Sequence, residues 1–198
     1  MRVLVACEYS GVVRDAFIAK GHDAMSCDLL PTDAPGPHYQ GDVFDVLDDK
    51  WDLMIAHPPC TFLSNSGVRW LGTQAGRWDN MREGAEFFRQ LLNADIPRIA
   101  VENPIMHRYA SNIIGRRQTQ IVQPWMFGHA ETKATGLWLR NLPPLCPTYN
   151  VREHMMTLSK AERNRVHYAS PGPDRWKLRS TTYAGIGAAM AAQWGNLA

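Results

Sequence analysis

Two prolines and a cysteine, Pro58-Pro59-Cys60, follow directly on the apolar run Leu53-Met54-Ile55-Ala56-His57. Proline fixes φ and lacks an N–H, so the chain is stiff and poor in donors where it carries the thiol. A free cysteine with a pKa of about 8.5 is only a few per cent thiolate at neutral pH. A rigid turn that aims it at a following helix N-terminus raises that fraction, which makes Cys60 a candidate nucleophile; a buried structural cysteine is the plainer reading. Glu102-Asn103-Pro104 likewise follows an apolar run, Arg98 to Val101. A carboxyl group in a partly desolvated cleft has a raised pKa and can share a proton with a ring nitrogen, the alternative being a capping carboxylate beside an asparagine turn. Tyr9-Ser10-Gly11 comes after the first apolar run. A glycine there lets the backbone approach a ligand and turns helix N–H groups toward it. Asp28, about 20 residues on, suits hydrogen bonds to both hydroxyls of a ribose, or simply caps a loop.

These clusters need elements to carry them. Arg2 to Ala6, His22 to Cys27, Leu53 to Ala56 and Arg98 to Val101 read as short buried strands. Between them, Val12, Val13, Ala16, Phe17 and Ala19 have helical spacing up to Lys20-Gly21, and residues 78 to 94 present one apolar helical face. Leu30 to Gly41, with three prolines, reads as a loop, and Gly41-Asp42-Val43 as a small turn or strand edge. Gln120 to Phe127 and Gly136 to Leu139 look like strands, Pro143 to about Thr182 is irregular, and Ile186 to Trp194 reads as a helix. Strands alternating with helices predict an α/β fold with a doubly wound, mostly parallel sheet. In such sheets ligands bind beyond the carboxyl ends of the strands, where residues 7–11, Asp28, 57–60 and 102–104 all fall.

A hydrophobic share of 45% and a charged share of 20% are those of a globular chain, and the length suits one domain. No apolar run reaches the roughly 20 residues that span a bilayer, and the N-terminus does not resemble a signal peptide, so the expected location is cytoplasmic, away from membranes. The cysteines at 7, 27, 60 and 146 form no CxxC pair, so neither a metal site nor a disulfide framework is expected. Net charge is only +2, but residues 150 to 182 hold seven Lys or Arg against three Asp or Glu. That segment is either a solvated surface or a phosphate-contacting one.

Taken in order, aromatic-x-Gly, an acidic strand end, Gly-Asp, Pro-Pro-Cys and Glu-Asn resemble the motifs of the cytosine C5-methyltransferases, and within them the short methylase-like proteins of bacterial viruses. The resemblance extends through Arg82 to Arg89 with Pro97-Arg98, Gln118 to Leu139 and Tyr183-Ala184-Gly185-Ile186-Gly187, covering most of residues 2–140 and about 183–196. It implies a Rossmann-like fold of the S-adenosylmethionine-dependent methyltransferase type, with S-adenosyl-L-methionine as cofactor. Tyr9, Ser10, Gly11 and Pro58 would line the cofactor pocket, with Asp28 on the ribose and Asp42 near the adenine amino group. Cys60 would attack cytosine C6, Glu102 would protonate or hydrogen-bond N3, and Lys133 would be the basic residue that meets the base. Pro59, Ser64 and Asn103 would face the substrate.

The chain departs from that pattern at Val13, where a second glycine is usual, and in lacking the paired arginines after the Glu-Asn strand, for which Lys133 is the nearest substitute. Only residues 141–182 stand where the family has a long target-recognition domain, so the expectation is a single domain, 1–198, with a short basic insert. Arg163, Arg165, Arg175, Lys177 and Arg179 would then hold phosphates, and Trp176 or Tyr168 would stack on bases. The expected activity is C5 methylation of cytosine in DNA, duplex or single-stranded, in the host cytoplasm if the protein is viral. Duplex DNA would require base flipping at a cost of a few kcal/mol. A free pyrimidine nucleotide is the alternative substrate, and a non-catalytic cofactor- or nucleic-acid-binding protein the alternative class. A homo-oligomer or a separate recognition partner remains open. An amino-group methyltransferase is disfavoured, because His57 and Cys60 flank the prolines where those enzymes have Asp or Asn and an aromatic.

Overall fold

Short β-branched and leucine-rich runs with no polar alternation bury both of their faces, and here they build one seven-stranded sheet. The computed structural model describes residues 1–197. In chain order the strands are β1 (Arg2–Ala6), β2 (Asp23–Asp28), β3 (His38–Gln40), β4 (Leu53–Ala56), β5 (Arg98–Pro104), β6 (Gln120–Val122) and β7 (Thr135–Arg140). The sheet order is β3-β2-β1-β4-β5-β7-β6. All neighbours are parallel except β7, which runs against both β5 and β6. This is the doubly wound, mostly parallel, Rossmann-like sheet that the strand–helix alternation predicts.

The helices are α1 (Val12–Ile18), α2 (Arg77–Leu92), α3 (Arg108–Ile114), α4 (Arg152–Thr157), α5 (Lys160–Arg163), α6 (Arg165–Tyr168), α7 (Arg175–Ser180) and α8 (Ala184–Trp194). Successive strand residues feed opposite layers, as the two-residue period of a strand requires. Leu4, Ala6, Met54, Ala56, Ile99, Val101 and Trp138 pack under α2 and α3 with Met81, Phe88 and Ala110. Val3, Val5, Leu53, Ile55, Ala100, Leu137 and Leu139 pack under α1 and α8 with Phe17, Met190 and Trp194. No described helix is long and apolar enough to cross a membrane.

Three stretches differ from the sequence reading. The strand expected over Gln120 to Phe127 ends at Val122, because Pro124 lacks an N–H for the ladder and opens a 3-10 turn over Pro124–Met126. The proline-rich loop contains β3, a three-residue edge strand that pairs with β2 through Ser26, Cys27 and Asp28. Its brevity and two-sided exposure give it no hydrophobic pattern. Residues 143 to 182, read as irregular, hold four helices of four to six residues each. Each is about one turn long, too short for apolar periodicity to show.

The loop between β2 and β3 is held by one buried cation. Arg14, fully buried on α1, donates to Ser26 and Thr32 hydroxyls and to the carbonyls of Ala34 and Pro35, and it pairs with Asp15 at 2.7 Å. Gly11 has φ +75°, and a Cβ there would strike the Arg14 guanidinium. Replacing Arg14 with Met keeps the stem and strands four acceptors. It is expected to cost about 2–4 kcal/mol in urea unfolding, with no rescue by Arg14→Lys, whose ammonium lacks the planar fork.

Candidate active site

The strand order turns back between β1 and β4, so the crevice beyond their carboxyl ends is where an open α/β sheet receives a ligand. The first wall is the turn from β1 into α1. Cys7 has φ +57°, and the chain then buries the Glu8 carboxylate. Glu8 accepts from Val13 N at 2.7 Å and Arg14 N at 3.2 Å, and Ser10 Oγ accepts from Val12 N at 3.4 Å. The expectation that these helix N–H groups point at a ligand is therefore overturned. Side chains of the protein satisfy them, and Gly11 is required by its positive φ and by Arg14.

Asp28 and Asp42 stand on the same side. Asp28 Oδ1 accepts from Leu30 N, Asp42 Oδ1 accepts from Phe44 N, and the Asp28 carbonyl accepts from Gly41 N. Both carboxylates bear on the two thiols between them. Burial first, then Asp28, pushes Cys27 up to about 12 and drives Cys7 higher still.

The second wall joins β4 to β5. His57 Nδ1 lies 2.8 Å from Glu102 Oε2, each side chain only 12% exposed. Asn103, next on β5, donates from Nδ2 to the Pro58 carbonyl at 3.1 Å. The turn bearing Pro58, Pro59 and Cys60 is thus tied to the strand bearing Glu102. Burial opposes the charge on Glu102, but the hydrogen bond and charge of His57, then Lys133 and Thr182, hold its carboxyl below the usual range. Burial also opposes the charge on His57, yet the hydrogen bond and charge of Glu102, with Glu8 behind, raise its pKa despite Lys133. The raised carboxyl pKa expected at residue 102 is corrected: a histidine partner reverses it.

Burial pushes the Cys60 thiol up on balance, although Lys133, a backbone hydrogen bond and Arg179 work against it, so the enlarged thiolate fraction expected of the proline turn is corrected. Cys7 and Cys27 face carboxylates instead. Lys133, in the loop before β7, acts on Cys60, His57 and Glu102 together, so the structure brings these four into one electrostatic neighbourhood. Ser64 is buried beside Ser66, 3.0 Å between hydroxyls, and its amide bonds the Cys60 carbonyl. His57 Nε2 and Asn103 Oδ1 are buried polar atoms with no hydrogen-bond partner among the described residues.

A small cavity lies between these walls, lined by Cys7, Glu8, Tyr9, Ser10 and His57 on one side and residues 180–182 on the other. Its cover is the basic segment. Trp176 packs on Tyr9 with ring centroids 5.3 Å apart, Tyr9 Oη meets Ser180 Oγ at 3.1 Å, and Lys177 pairs with Asp33 at 3.0 Å. Thr182 Oγ1 reaches Glu102 at 3.5 Å. Arg165 pairs with Glu131 at 2.9 Å, Arg175 Nε donates to the Ala169 carbonyl, and Arg163 lies against Met156 Sδ at 3.8 Å.

Glu8, His57 and Thr182 are the site residues that sequence reasoning left without a role. His57 and Glu8 carried a signal, each being a polar residue at the end of a buried strand. Thr182, within an irregular stretch, carried none. Among the described residues no group of three or more His, Cys, Asp or Glu is placed to hold a metal.

No family model matches the chain, and no curated protein matches it. Solved structures similar to it include a DNA modification methyltransferase encoded within an E. coli prophage, at TM-score 0.48 and 14% identity over 76% of this chain and 51% of the other. Another is the Entamoeba histolytica methyltransferase EhMeth, at TM-score 0.47 and 13% identity over 73% of this chain and 54% of the other. The chain spans about half the length of these structures.

The buried pair gives stability a defined pH window. His57, raised on folding, contributes in full below its unfolded value of about 6.5 and loses that contribution as pH rises through its folded value. Glu102, lowered on folding, contributes above the ordinary carboxylate value of about 4.3 and loses it as pH falls through its folded value. Relative to His57→Gln/Glu102→Gln, the unfolding free energy of the wild type is expected to peak between about pH 4.3 and 6.5. By NMR the His57 imidazole should titrate above the ordinary histidine value, and below it in Glu102→Gln, where burial and Lys133 outweigh the remaining charge of Glu8.

Proposed function

We propose that the protein transfers a methyl group from S-adenosylmethionine to C5 of cytosine in DNA, with Cys60 as the nucleophile. What supports this most is the joined β4–β5 rim: a thiol that faces Lys133 and Arg179, tied through the Pro58 carbonyl to the strand that carries Glu102. A thiol, a carboxyl group with a proton partner and a nearby cation are the groups that covalent activation of a pyrimidine needs.

The first wall suits this cofactor better than a nucleotide phosphate. With Glu8 and Ser10 occupying the N-terminus of α1, no free N–H row remains for an anion. Buried Glu8 with Asp28 and Asp42 favours a ligand that carries positive charge and ribose hydroxyls, such as a sulfonium nucleoside. Asp28 would hold the ribose, Asp42 the adenine side, and Tyr9, Ser10, Gly11 and Pro58 the remaining walls. When bound, the cofactor supplies an electrophilic methyl group.

The chain's residues would then act in turn. Cys60 Sγ bonds to C6, and the C5–C6 electron pair is driven into the ring as N3 gains a proton. Glu102 is ionised against His57 in the free protein, so the proton on His57 Nδ1 is the nearest available to pass through Glu102 to N3. Lys133 offsets negative charge on the base, and Asn103 keeps the Pro58 turn in register with β5. C5 would form its bond to the methyl carbon as that carbon's bond to the sulfonium sulfur breaks. The C5 proton would then pass to solvent as the Sγ–C6 bond breaks to return the Cys60 thiolate, and N3 would return its proton through Glu102 to His57. Residues 163–176, with Ser64 and Pro59, are the proposed substrate side.

Cys60→Ala is expected to keep S-adenosylmethionine binding in calorimetry and to lower labelled methyl transfer to DNA by on the order of 10³-fold or more. It should also abolish the covalent adduct with 5-fluorocytosine DNA. An adduct that persists in Cys60→Ala would sink the nucleophile assignment, and methyl transfer to dCMP but not to DNA would move the substrate to the free nucleotide.

A further inference from the structure

Positive charge that the fold has already used is a poor guide to where a polyanion binds. In the C-terminal basic segment Arg165 is committed to Glu131 and Lys177 to Asp33, and Arg175 is turned onto a backbone carbonyl, while Arg152, Lys160, Arg163 and Arg179 have no carboxylate partner among the described residues. A second face also carries cations without carboxylate partners. An open groove along α3 and the turn after it is lined by Met106, Arg108, Ser111, Asn112 and residues 115–118, with no acidic side chain among them. Arg108 Nη2 donates to Tyr109 Oη, Arg116 Nη2 donates to the Leu139 carbonyl, and Arg117 is exposed, with no hydrogen bond or ion pair among the described residues.

The start of the groove is tied to the candidate site through the backbone. The loop that follows Cys60 is bonded to the segment that opens α3: His107 N donates to the Leu63 carbonyl, Asn65 N to the Ile105 carbonyl, and His107 Nε2 meets the Phe62 carbonyl at 2.9 Å. Arg108 is the next residue after His107. Beside it, half-exposed Trp78 packs edge-on against Tyr109 with centroids 5.1 Å apart, so a flat aromatic surface adjoins the first arginine. Arg108 opens α3, and Arg117 lies three residues beyond its end at Ile114, past the left-handed turn at Gly115, so the two cations bracket the groove.

We propose that this groove is the backbone-binding track of a nucleic-acid substrate, with Arg108 and Arg117 on phosphates and Trp78–Tyr109 beside a base or sugar. It rests on the reading of the substrate as a polynucleotide, and it adds phosphate contacts at Arg108 and Arg117 to those proposed at residues 163–176. Arg116 shares the groove but also holds the Leu139 carbonyl on β7, so its removal would disturb the sheet.

The test is fluorescence anisotropy of the full chain with a labelled 20-mer, duplex and single-stranded, between about 50 and 200 mM salt. In Arg108→Gln/Arg117→Gln the slope of log K against log salt should become shallower by about 1.8 for duplex, or about 1.4 for single strands. Lys20→Gln/Lys50→Gln removes the same charge beside the amino ends of β2 and β4 and should leave the slope as in the wild type. Equal melting temperatures establish that each variant is folded. A wild-type slope in the arginine variant, an equal loss in the lysine variant, or wild-type protein that binds neither strand overturns the proposal. Binding is read without turnover, so the two readings part cleanly. A chain that shows the expected slope change but no methyl transfer keeps the track and loses the enzyme, whereas one that methylates dCMP and binds no polynucleotide does the reverse.

Discussion

A hydrogen-bonded ion pair, His57 with Glu102, closes the gap between the carboxyl ends of β4 and β5, and the arrangement of the candidate site follows from it. Taking two charges out of water costs several kcal/mol per ion, so such a pair is seldom the most stable filling for its space. Its effect is on protonation. Glu102 without a partner would be pushed toward the neutral acid by burial, and His57 toward the neutral imidazole. Side by side each holds the other charged, and a proton is kept at the strand ends rather than lost to solvent. The same contact sets the register of the rim: Asn103 follows Glu102 and Pro58 follows His57, and these two neighbours share a hydrogen bond of their own. The proline turn therefore cannot drift along β5 without breaking both links.

The opposite wall works by exclusion. Glu8 fills the N-terminus of α1 from inside the protein and cancels the partial positive charge that such a helix end presents. In dinucleotide-binding sheets that helix end meets pyrophosphate. Here the wall shows carboxylates, with Asp28 and Asp42 driving the neighbouring thiols of Cys7 and Cys27 toward the neutral form. One sheet edge thus carries two electrostatic characters, acidic over β1 and β2 and mixed over β4 and β5, where Lys133 and Arg179 offset the carboxylate beside Cys60. A cationic methyl donor and an electron-poor base would sort themselves across that division.

Much of the architecture was legible because it rests on local patterns. The buried runs 2–6, 53–56 and 98–101 are strands by their continuous apolar character, and the face at residues 78–94 became α2, Arg77–Leu92. The polar clusters at their ends lie where a parallel sheet must put them. Partnership was not legible. Glu102 alone predicts a raised pKa, and only the spatial neighbour His57, forty-five positions away, reverses it. Gly11 reads as a ligand-approach residue until Arg14, one helical turn on, is seen to occupy the space. The short helices of residues 152–180 escaped because one turn holds no period, and their docking depends on long-range contacts such as Tyr9 with Trp176.

Charge gives the clearest instance of the same limit. A run of residues with seven cations and three anions invites assignment to a polyanion, because a sequence shows charges without their partners. Folding pairs two cations of that run with carboxylates from elsewhere, Lys177 with Asp33 and Arg165 with Glu131, and the segment becomes a cover over the first wall. Arg108 and Arg117, spread over ten positions of ordinary composition, make no cluster in the sequence, yet α3 and the turn after it place them on one groove without a carboxylate. Counterion release depends on cations that are free to meet phosphates, not on how densely the chain encodes them. Arg108 and Arg117, unneutralised beside the loop of Cys60, therefore bear on what the protein binds as directly as the denser segment, part of whose charge is spent on its own fold.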